Sequence, residues 1–264
     1  QKIEMRPMNR VEVRGFLAIV DAEDDALDAR RPIAKAKSPD AEGVRIAAPM
    51  AALFHVLVST GLRPSEAFAL KWDDVRLDPD EQNQGAITVK KSLTRTSDGA
   101  WVLNEPKTSS SRRTVLIPPQ TVAALRRHRV RQAEHRLRVG LFWREQQFIF
   151  TNAFGNPLEI KDTVRRHFKP ALRQLAANLH PDLPDGTTST EIKAARADVM
   201  RTRLYDLRHT FATLALEAGV NVKTVSAALG HKSIVITLDT YAHVLPAQQR
   251  EAAALLGSAI YGPG

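Results

Sequence analysis

The sequence of 264 residues contains no cysteine, which excludes disulfide bonds, thiolate catalysis and cysteine-ligated metal sites. It also lacks any run of roughly 18 apolar residues, so no segment predicts a transmembrane helix, and the N-terminus carries no signal-peptide pattern. Tyrosine is scarce, since the chain has only three, at Tyr205, Tyr241 and Tyr261. Any chemistry that needs a phenol therefore has few candidates.

The chain does have an apolar content of 43%, enough for a substantial core, and a formal net charge of +9. The positive charge is concentrated in residues 112–144, which hold nine arginines and one acidic residue, Glu134. Such a stripe attracts polyanions, most commonly nucleic acid, through counterion release. A solvated helix face has the same composition. Charge therefore opens the nucleic-acid hypothesis without deciding it.

The periodicity predicts one mainly α domain with a small antiparallel β-sheet, an α+β fold. A helix is expected over residues 8–26 with Asn9 as a candidate N-cap, and an apolar helix is expected to break at Gly61. The segments GAITVKKS, WVLNE and RTVLIP have strand composition and are expected to form the sheet. Residues 31–45 and the segment LHPDLPDGTTST are expected to be loops. Further helices are expected over residues 119–139, 161–178, 206–218, 222–229 and 247–260.

Breaking a DNA phosphodiester without metal or cofactor makes particular demands on side chains. The transition state adds negative charge to the non-bridging oxygens, which planar, permanently charged arginines can bind in a bidentate manner. A nucleophile must be held in place, and a proton must reach the leaving 5′ oxygen. The sequence supplies candidates for these tasks in three separate blocks.

The first two blocks hold a candidate arginine and a candidate proton donor. In STGLRPSE, Gly61 can end a helix so that Arg63 projects from the turn, with Glu66 within reach to orient it. A surface Arg–Glu pair at this spacing is the alternative. In NEPKTSSSRRTVLIP, Lys107 lies in a polar, hairpin-like turn from which its flexible side chain could reach a site. Most loop lysines, however, only face solvent.

The third block is YDLRHTFATLALEAGVNVKTVSAALGHKSIVITLDTYAHV, which places Arg208 and His209 near the start of a helix. His231 follows a glycine at a helix end, and Tyr241 comes ten residues later. A helix-terminal histidine commonly caps carbonyl groups, and a buried tyrosine is commonly a core residue with a satisfied hydroxyl. Each block taken alone therefore has an ordinary structural interpretation.

Five segments in this order, TGLRPSE, PKTSSSRRTVLIP, YDLRHTFAT, LGHKS and TYAHV, resemble the catalytic domain of the tyrosine recombinase (phage integrase) family over roughly residues 9–250. The resemblance implies the mainly α catalytic-domain fold of that family and double-stranded DNA as the partner. It also implies strand cleavage and rejoining without metal, ATP or another cofactor. Tyr241 would attack a phosphodiester to form a 3′-phosphotyrosyl intermediate. The implied supporting residues are Arg63 and Arg208 as a phosphate clamp, Lys107 as general acid, His231 on a non-bridging oxygen or in proton traffic, and Glu66 as an acidic partner.

One position departs from the family pattern. The family usually has histidine, sometimes lysine, three residues before the second arginine, where this chain has Tyr205. A phenol is a poor general base near pH 7, but it can donate or accept a hydrogen bond. We therefore expect Tyr205 to be a hydrogen-bonding substitute in the site, with cleavage slowed and not abolished. His209, one residue past Arg208, is interpreted as structural or as a back-up.

The resemblance also implies a larger assembly. Family members normally carry a helical core-binding domain before the catalytic one. Because this sequence begins at Gln1 and reaches the entry helix at once, we expect residues 1–264 to be the catalytic domain of a longer protein. The helix 247–260 is expected to pack on a neighbouring subunit or on its own core. A tetramer on DNA, a monomer without DNA and a location at the nucleoid in the bacterial cytoplasm are the further expectations.

Two other functions remain open. The segment LALEAGVNVKTVSAALGH also resembles a repressor helix-turn-helix, which would make the protein a DNA-binding regulator without catalysis. A regulator has no use for Arg63 and Lys107 at these spacings, which favours the recombinase. A type IB topoisomerase would share the cleavage chemistry, but the sequence blocks follow the integrase pattern.

Overall fold

A computed structural model describes residues 5–29, 48–78, 85–105, 112–242 and 260–262. Among the helices that it describes, none is long and apolar enough to cross a membrane. The helices are α1 (Arg10–Ala29), α2 (Ala51–Thr60), α3 (Pro64–Phe68), α4 (Pro119–Val139), α5 (Ile160–Thr163), α6 (Lys169–Leu179), α7 (Thr190–Arg201), α8 (Asp206–Glu217), α9 (Val222–Leu229) and α10 (Ile234–Tyr241). The strands are β1 (Val75–Arg76), β2 (Gly85–Val89), β3 (Ser92–Arg95), β4 (Trp101–Asn104) and β5 (Arg113–Ile117).

The main core lies where α1, α2 and α6 pack together. The rings of Phe16, Phe54 and Phe168, one from α1, one from α2 and one from the π-helical turn before α6, are fully buried. Their centroids lie 5.2 to 6.0 Å apart, in edge and stacked contacts that add about 0.5–1.5 kcal/mol per pair beyond area burial. This cluster supports α2, whose C-terminal end carries the first arginine block.

Local sequence signals set several helix ends as predicted. The Asn9 side chain accepts from the backbone N–H of Glu12, and the Glu12 carboxylate accepts from the backbone N–H of Asn9, which is a capping box at the start of α1. Gly61 ends α2 at φ 64°, a conformation that glycine adopts without strain. A Cβ at this position would lie 2.4 Å from the ring of Phe211, so α2 also needs glycine to pack against α8.

The strands form two antiparallel sheets, and this differs in part from the expected single sheet. β1, β2 and β5 form one sheet, with Ile87 opposite Val115 in its centre. The segment WVLN is a strand, as expected, but it pairs with β3 in a separate two-stranded ribbon and not with β2 or β5. Strand composition identifies extended segments, but pairing depends on where the intervening turns direct the chain.

The mainly α prediction is confirmed, and most predicted helices lie within two residues of those in the structure. The helices α7 and α10 were not predicted, although each follows a good N-cap: Ser189 accepts from the backbone N–H of Ile192, and Ser233 accepts from that of Val235. The predicted loop at residues 31–45 and nearly all of the predicted helix 247–260 lie outside the described residues.

The arginines of α4 are engaged mainly with other parts of the protein. Arg131 pairs with Asp24 and Asp25 of α1, and Arg127 pairs with Asp21. Further contacts join Arg126 to the carbonyl of Leu77, Arg129 to the ring of Trp72, Arg136 to Glu145 and Arg138 to Glu134. Arg131 therefore helps to hold α4 against α1, whereas the more exposed pairs contribute less.

Candidate active site

The turn between α2 and α3 positions Arg63. Pro64 starts α3, and Arg63 immediately before it has extended backbone, so its side chain leaves the turn. Glu66 accepts from the Arg63 backbone N–H at 2.9 Å and from the Arg63 guanidinium Nη1 at 2.8 Å. This is the orienting contact that the spacing predicted, and the Glu66 side chain is buried, so it is more than a solvated surface pair.

Arg113, at the start of β5, joins this turn to α9. Its Nη2 lies 2.8 Å from the Glu66 carboxylate, and both side chains are only 7% exposed. Its Nε donates to the carbonyl of Ala228 at 2.6 Å. Burial by itself would raise the pKa of Glu66, but the hydrogen bonds and charges of Arg113 and Arg63 lower it overall. Glu66 is therefore an ionised carboxylate between two guanidinium groups.

Arg208, in the first turn of α8, is 2% exposed. Its Nη1 donates to the carbonyl of Gly61 at 2.8 Å, which ties α8 to the α2–α3 turn. Its Nη2 is buried without a hydrogen-bond partner among the described residues. Burial, and then the positive charge of Arg63, lower its pKa to about 10, so it remains charged at pH 7. A buried guanidinium with an unsatisfied donor is suited to binding an anion.

His231 follows Gly230, which ends α9 at φ 67°. The imidazole Nδ1 and the Thr237 hydroxyl are 2.8 Å apart, which leaves Nε2 as the ring nitrogen for a ligand. Burial, followed by the charges of Arg208 and Arg63, lowers the pKa of His231 to about 4. The ring is therefore neutral at pH 7 and can donate a single hydrogen bond without adding charge.

Tyr241, at the end of α10, is 2% exposed, and its hydroxyl lies 2.8 Å from Nδ1 of His209. Burial raises the pKa of Tyr241 to about 12, against a smaller lowering by the charge of Arg208. Tyr205 is 42% exposed, and its ring meets the ring of His209 edge-on at 5.5 Å. His209 therefore stands between the two tyrosines.

The structure groups six of the seven residues that the sequence singled out. Arg63, Glu66, Tyr205, Arg208, His231 and Tyr241 lie around the α2–α3 turn and the start of α8, and Lys107 lies outside the described residues. Within the described ranges, no three His, Asp or Glu side chains are grouped as metal ligands would be.

Sequence reasoning missed the pairing of Arg113 with Glu66 and the contact of His209 with Tyr241. Arg113 was counted only within the arginine stripe, although its place at the start of a predicted strand after Lys107 was a usable signal. His209 was interpreted as structural or as a back-up, and no sequence pattern placed its ring against the hydroxyl of Tyr241.

The chain matches known proteins over most of its length. Residues 36–248 match the model of the phage integrase family. The chain is 32% identical over 207 residues to a "Tyrosine recombinase XerC-like" protein of Caldanaerobacter subterraneus subsp. tengcongensis, a match that covers 76% of this chain and 47% of that protein. It is 31% identical over 196 residues to an "Integrase" of Streptomyces ambofaciens, covering 73% of this chain and 44% of that protein. The chain thus spans about half the length of the curated relatives it matches.

A solved structure supports the same fold. The Tn1549 transposon integrase in complex with a circular intermediate DNA matches with a TM-score of 0.60 and 19% sequence identity, over 96% of this chain and 67% of that one. The five sequence segments, the grouped side chains and the family match agree with one another. The chain therefore belongs to the phage integrase family, the family of tyrosine recombinases.

Proposed function

We propose that this chain is the catalytic domain of a site-specific DNA recombinase that cleaves and rejoins strands through Tyr241. The observation that carries the proposal is the buried guanidinium of Arg208, which has an unsatisfied Nη2 and is surrounded by Arg63, His231 and Tyr241. Arg63 and Arg208 lie close enough for their charges to disfavour one another, and the Glu66 carboxylate that partly compensates them leaves the Nη2 of Arg208 unsatisfied. A DNA phosphate is the anion that this grouping would bind.

The reaction follows from the roles of these groups. Arg63 and Arg208 hold the non-bridging oxygens, and His231 donates to one of them through Nε2. The Tyr241 hydroxyl loses its proton as its oxygen forms a bond to phosphorus, and the bond from phosphorus to the 5′ oxygen breaks. The leaving 5′ oxygen takes a proton from an acid, for which Lys107 is the candidate. The reverse attack by a 5′ hydroxyl rejoins the strand, so the phosphotyrosyl bond conserves the energy of the phosphodiester.

DNA as the substrate is supported by the Tn1549 integrase structure, which is a complex with DNA. The proposal includes a longer protein, since the matched relatives are about twice as long, and a core-binding domain that helps to enclose DNA. A tetramer on DNA, with residues 247–260 packed on a neighbouring subunit, and action at the bacterial nucleoid complete it.

The test is covalent capture on a nicked DNA duplex of the protein's own recombination site, in which loss of a short 5′ fragment prevents rejoining. Wild-type protein is expected to form a protein–DNA adduct that survives denaturation, and Tyr241→Phe is expected to form none. Tyr261→Phe is the matched control, because Tyr261 is 87% exposed and outside the site. An adduct that persists in Tyr241→Phe would contradict the assignment of the nucleophile.

The same experiment separates the alternatives. Helices α8 and α9 do contact one another as a helix-turn-helix would, so a regulator is the second candidate. Specific DNA binding with no adduct, from a protein that also lacks relaxation activity on supercoiled DNA, would favour the regulator. Relaxation without strand exchange between two sites would favour a topoisomerase-like enzyme.

A further inference from the structure

We propose that His209 accepts the proton of the Tyr241 hydroxyl during strand cleavage and is therefore a catalytic residue of this chain. The inference rests on the proposed function, because it requires Tyr241 to be the nucleophile. His209, the residue directly after Arg208, is then more than a structural residue, because it accepts the proton of the nucleophile.

The geometry that carries the proposal is the contact between Nδ1 of His209 and the hydroxyl oxygen of Tyr241, at 2.8 Å. A general base must lie within hydrogen-bond reach of the proton that it removes, and this contact satisfies that requirement. The two ring centroids are 5.9 Å apart. Because α8 places Arg208 and His209 in succession, the residue that would hold the phosphate and the residue that contacts the nucleophile share one helical turn.

Tyr241 requires help to lose its proton. Its phenol is buried and stays protonated at neutral pH, since burial raises its pKa to about 12. Tyr205 lies edge-on to His209. Among the described residues, Tyr205 makes no hydrogen bond to the Tyr241 hydroxyl. Of the side chains described around the Tyr241 hydroxyl, His209 is the one in hydrogen-bond contact with it.

The surroundings of His209 keep it able to accept a proton. Burial, together with the charges of Arg208 and Arg203, lowers the pKa of His209, while the charge of Asp206 raises it. His231, Tyr205 and Tyr241 also face this ring. The imidazole is therefore neutral at pH 7, and with its hydrogen on Nε2 it presents an acceptor at Nδ1.

Cleavage moves one proton from Tyr241 to His209 and another from an acid to the leaving 5′ oxygen. The oxygen of Tyr241 forms a bond to phosphorus while its proton moves to Nδ1 of His209, which becomes an imidazolium. The bond from phosphorus to the 5′ oxygen breaks, and that oxygen is protonated by a separate acid. In the rejoining step the 5′ hydroxyl returns its proton to that acid as its oxygen bonds to phosphorus, and the leaving phenolate of Tyr241 recovers its proton from His209. No oxidant, reductant or metal enters either step.

Two variants separate proton acceptance from positioning. His209→Asn places an amide oxygen near the location of Nδ1, so it keeps a hydrogen-bond acceptor for Tyr241 but removes the base; His209→Ala removes both. We expect both variants to cleave the nicked substrate roughly 10²–10⁴ times more slowly in single turnover, with DNA affinity retained. His180→Asn is the matched control, because His180 ends α6 and has no described contact at the site.

A modified substrate tests whether His209 acts on the nucleophile or on the leaving group. When sulfur replaces the bridging 5′ oxygen, the leaving group needs no proton, so a defect in the general acid is relieved. We expect Lys107→Ala to regain cleavage on this substrate and His209→Asn to remain slow. Recovery of His209→Asn would place His209 on the leaving-group side and overturn the proposal.

Other results are equally decisive. Wild-type rates in His209→Asn would mean that His209 only positions Tyr241, and faster cleavage in His209→Ala would mean that the contact restrains the nucleophile. If neither variant folds, His209→Gln, which also lacks a base and is closer to histidine in size, takes their place with the same expected loss of rate. Adduct formation by Tyr241→Phe would refute the proposed function itself, which distinguishes the two failures.

Discussion

At the scale of single residues, Arg208 combines burial with an unsatisfied donor, the two features on which the proposed phosphate site rests. Its side chain is buried beside the carbonyl of Gly61, and the nearby charge of Arg63 makes the charged state less favourable, not more. A protein tolerates such an arrangement where the charge has a use. The same burial excludes water, so hydrogen bonds from this guanidinium to a phosphate would be strong.

Tyr205 gives a prediction at this scale. Tyr205→His should increase the single-turnover cleavage rate roughly tenfold or more, because an imidazole beside His209 can bind and release a proton near pH 7 and a phenol cannot. The side chain is 42% exposed, so the exchange should leave the free energy of unfolding nearly unchanged. Tyr205→Phe, which removes only the hydroxyl, is the comparison. A rate that stays constant or falls in Tyr205→His would contradict this view of the position.

At the scale of secondary-structure elements, the ion pair between Arg113 and Glu66 holds three elements together. Glu66 belongs to α3, Arg113 to β5, and the carbonyl of Ala228 that Arg113 contacts belongs to α9. The segment that carries Arg63 and the segment that carries His231 are thus joined through the guanidinium of Arg113. The relative position of the two segments depends on this contact.

Glu66→Gln should lower the free energy of unfolding by about 3 kcal/mol at pH 7, because it leaves buried guanidinium donors without their carboxylate. Denaturant titration measures this. Glu105→Gln, which removes an exposed partner of Arg112, should cost no more than about 1 kcal/mol. A loss in Glu66→Gln as small as in the control would show that the pair is not stabilising.

The same carboxylate gives a pH dependence. The folded-state pKa of Glu66 is lowered, so its contribution is fully present above the unfolded-state value of about 4.3 and is lost as the pH falls through the folded value. The difference in unfolding free energy between wild type and Glu66→Gln should therefore shrink below pH 4. Urea titrations at pH 3 to 7 test this, and a difference independent of pH would contradict it.

Substitution of Gly230 by alanine can be compared with the same substitution at Gly219. Gly230 and Gly219 both have positive φ, but a Cβ at Gly230 would lie 2.9 Å from Nη1 of Arg113, whereas nothing lies within 4 Å at Gly219. Gly219→Ala should cost about 1 kcal/mol for backbone strain alone. Gly230→Ala should cost more than that and should also slow cleavage, because it displaces Arg113 and the adjoining His231. Equal stability and equal rates in the two variants would show that the close approach is unimportant.

At the scale of the whole molecule, part of the positive charge of α4 is used inside the fold. Arg127 and Arg131 of α4 pair with acids of α1, and the Arg131 side chain is only 13% exposed. Asp24, its partner, also accepts from the backbone N–H groups of Met50 and Ala51 before α2. These contacts connect α1, α2 and α4 around the core.

Arg131→Gln should therefore destabilise the protein by about 3 kcal/mol, since it leaves the buried carboxylate of Asp24 without its guanidinium. DNA affinity at a given salt concentration should change less than twofold. Arg10→Gln removes an exposed charge 4.0 Å from its nearest acid and is the control for stability. Thermal unfolding and fluorescence anisotropy with labelled DNA measure the two quantities. A large loss of affinity with unchanged stability would return the stripe to a DNA-binding role.

Much of the fold could be predicted because its signals are local. Helix periodicity, the Asn9 capping box and the glycine at position 61 depend on residues within a turn of one another. The pairing of WVLN with β3 could not be predicted in this way, because register depends on distant turns. The helix α7 was missed, although it begins with the same kind of capping residue that marks α1.

The order and spacing of the chemical blocks, read from sequence, were enough to identify the family and to name Arg63, Arg208, His231 and Tyr241 as the residues to examine. Three facts required the folded chain: the burial of Arg208, the pairing of Arg113 with Glu66, and the contact between His209 and Tyr241. The last two join side chains 47 and 32 positions apart. Such contacts, and the pKa shifts that burial causes, exist only after packing has removed water from between the elements that carry them.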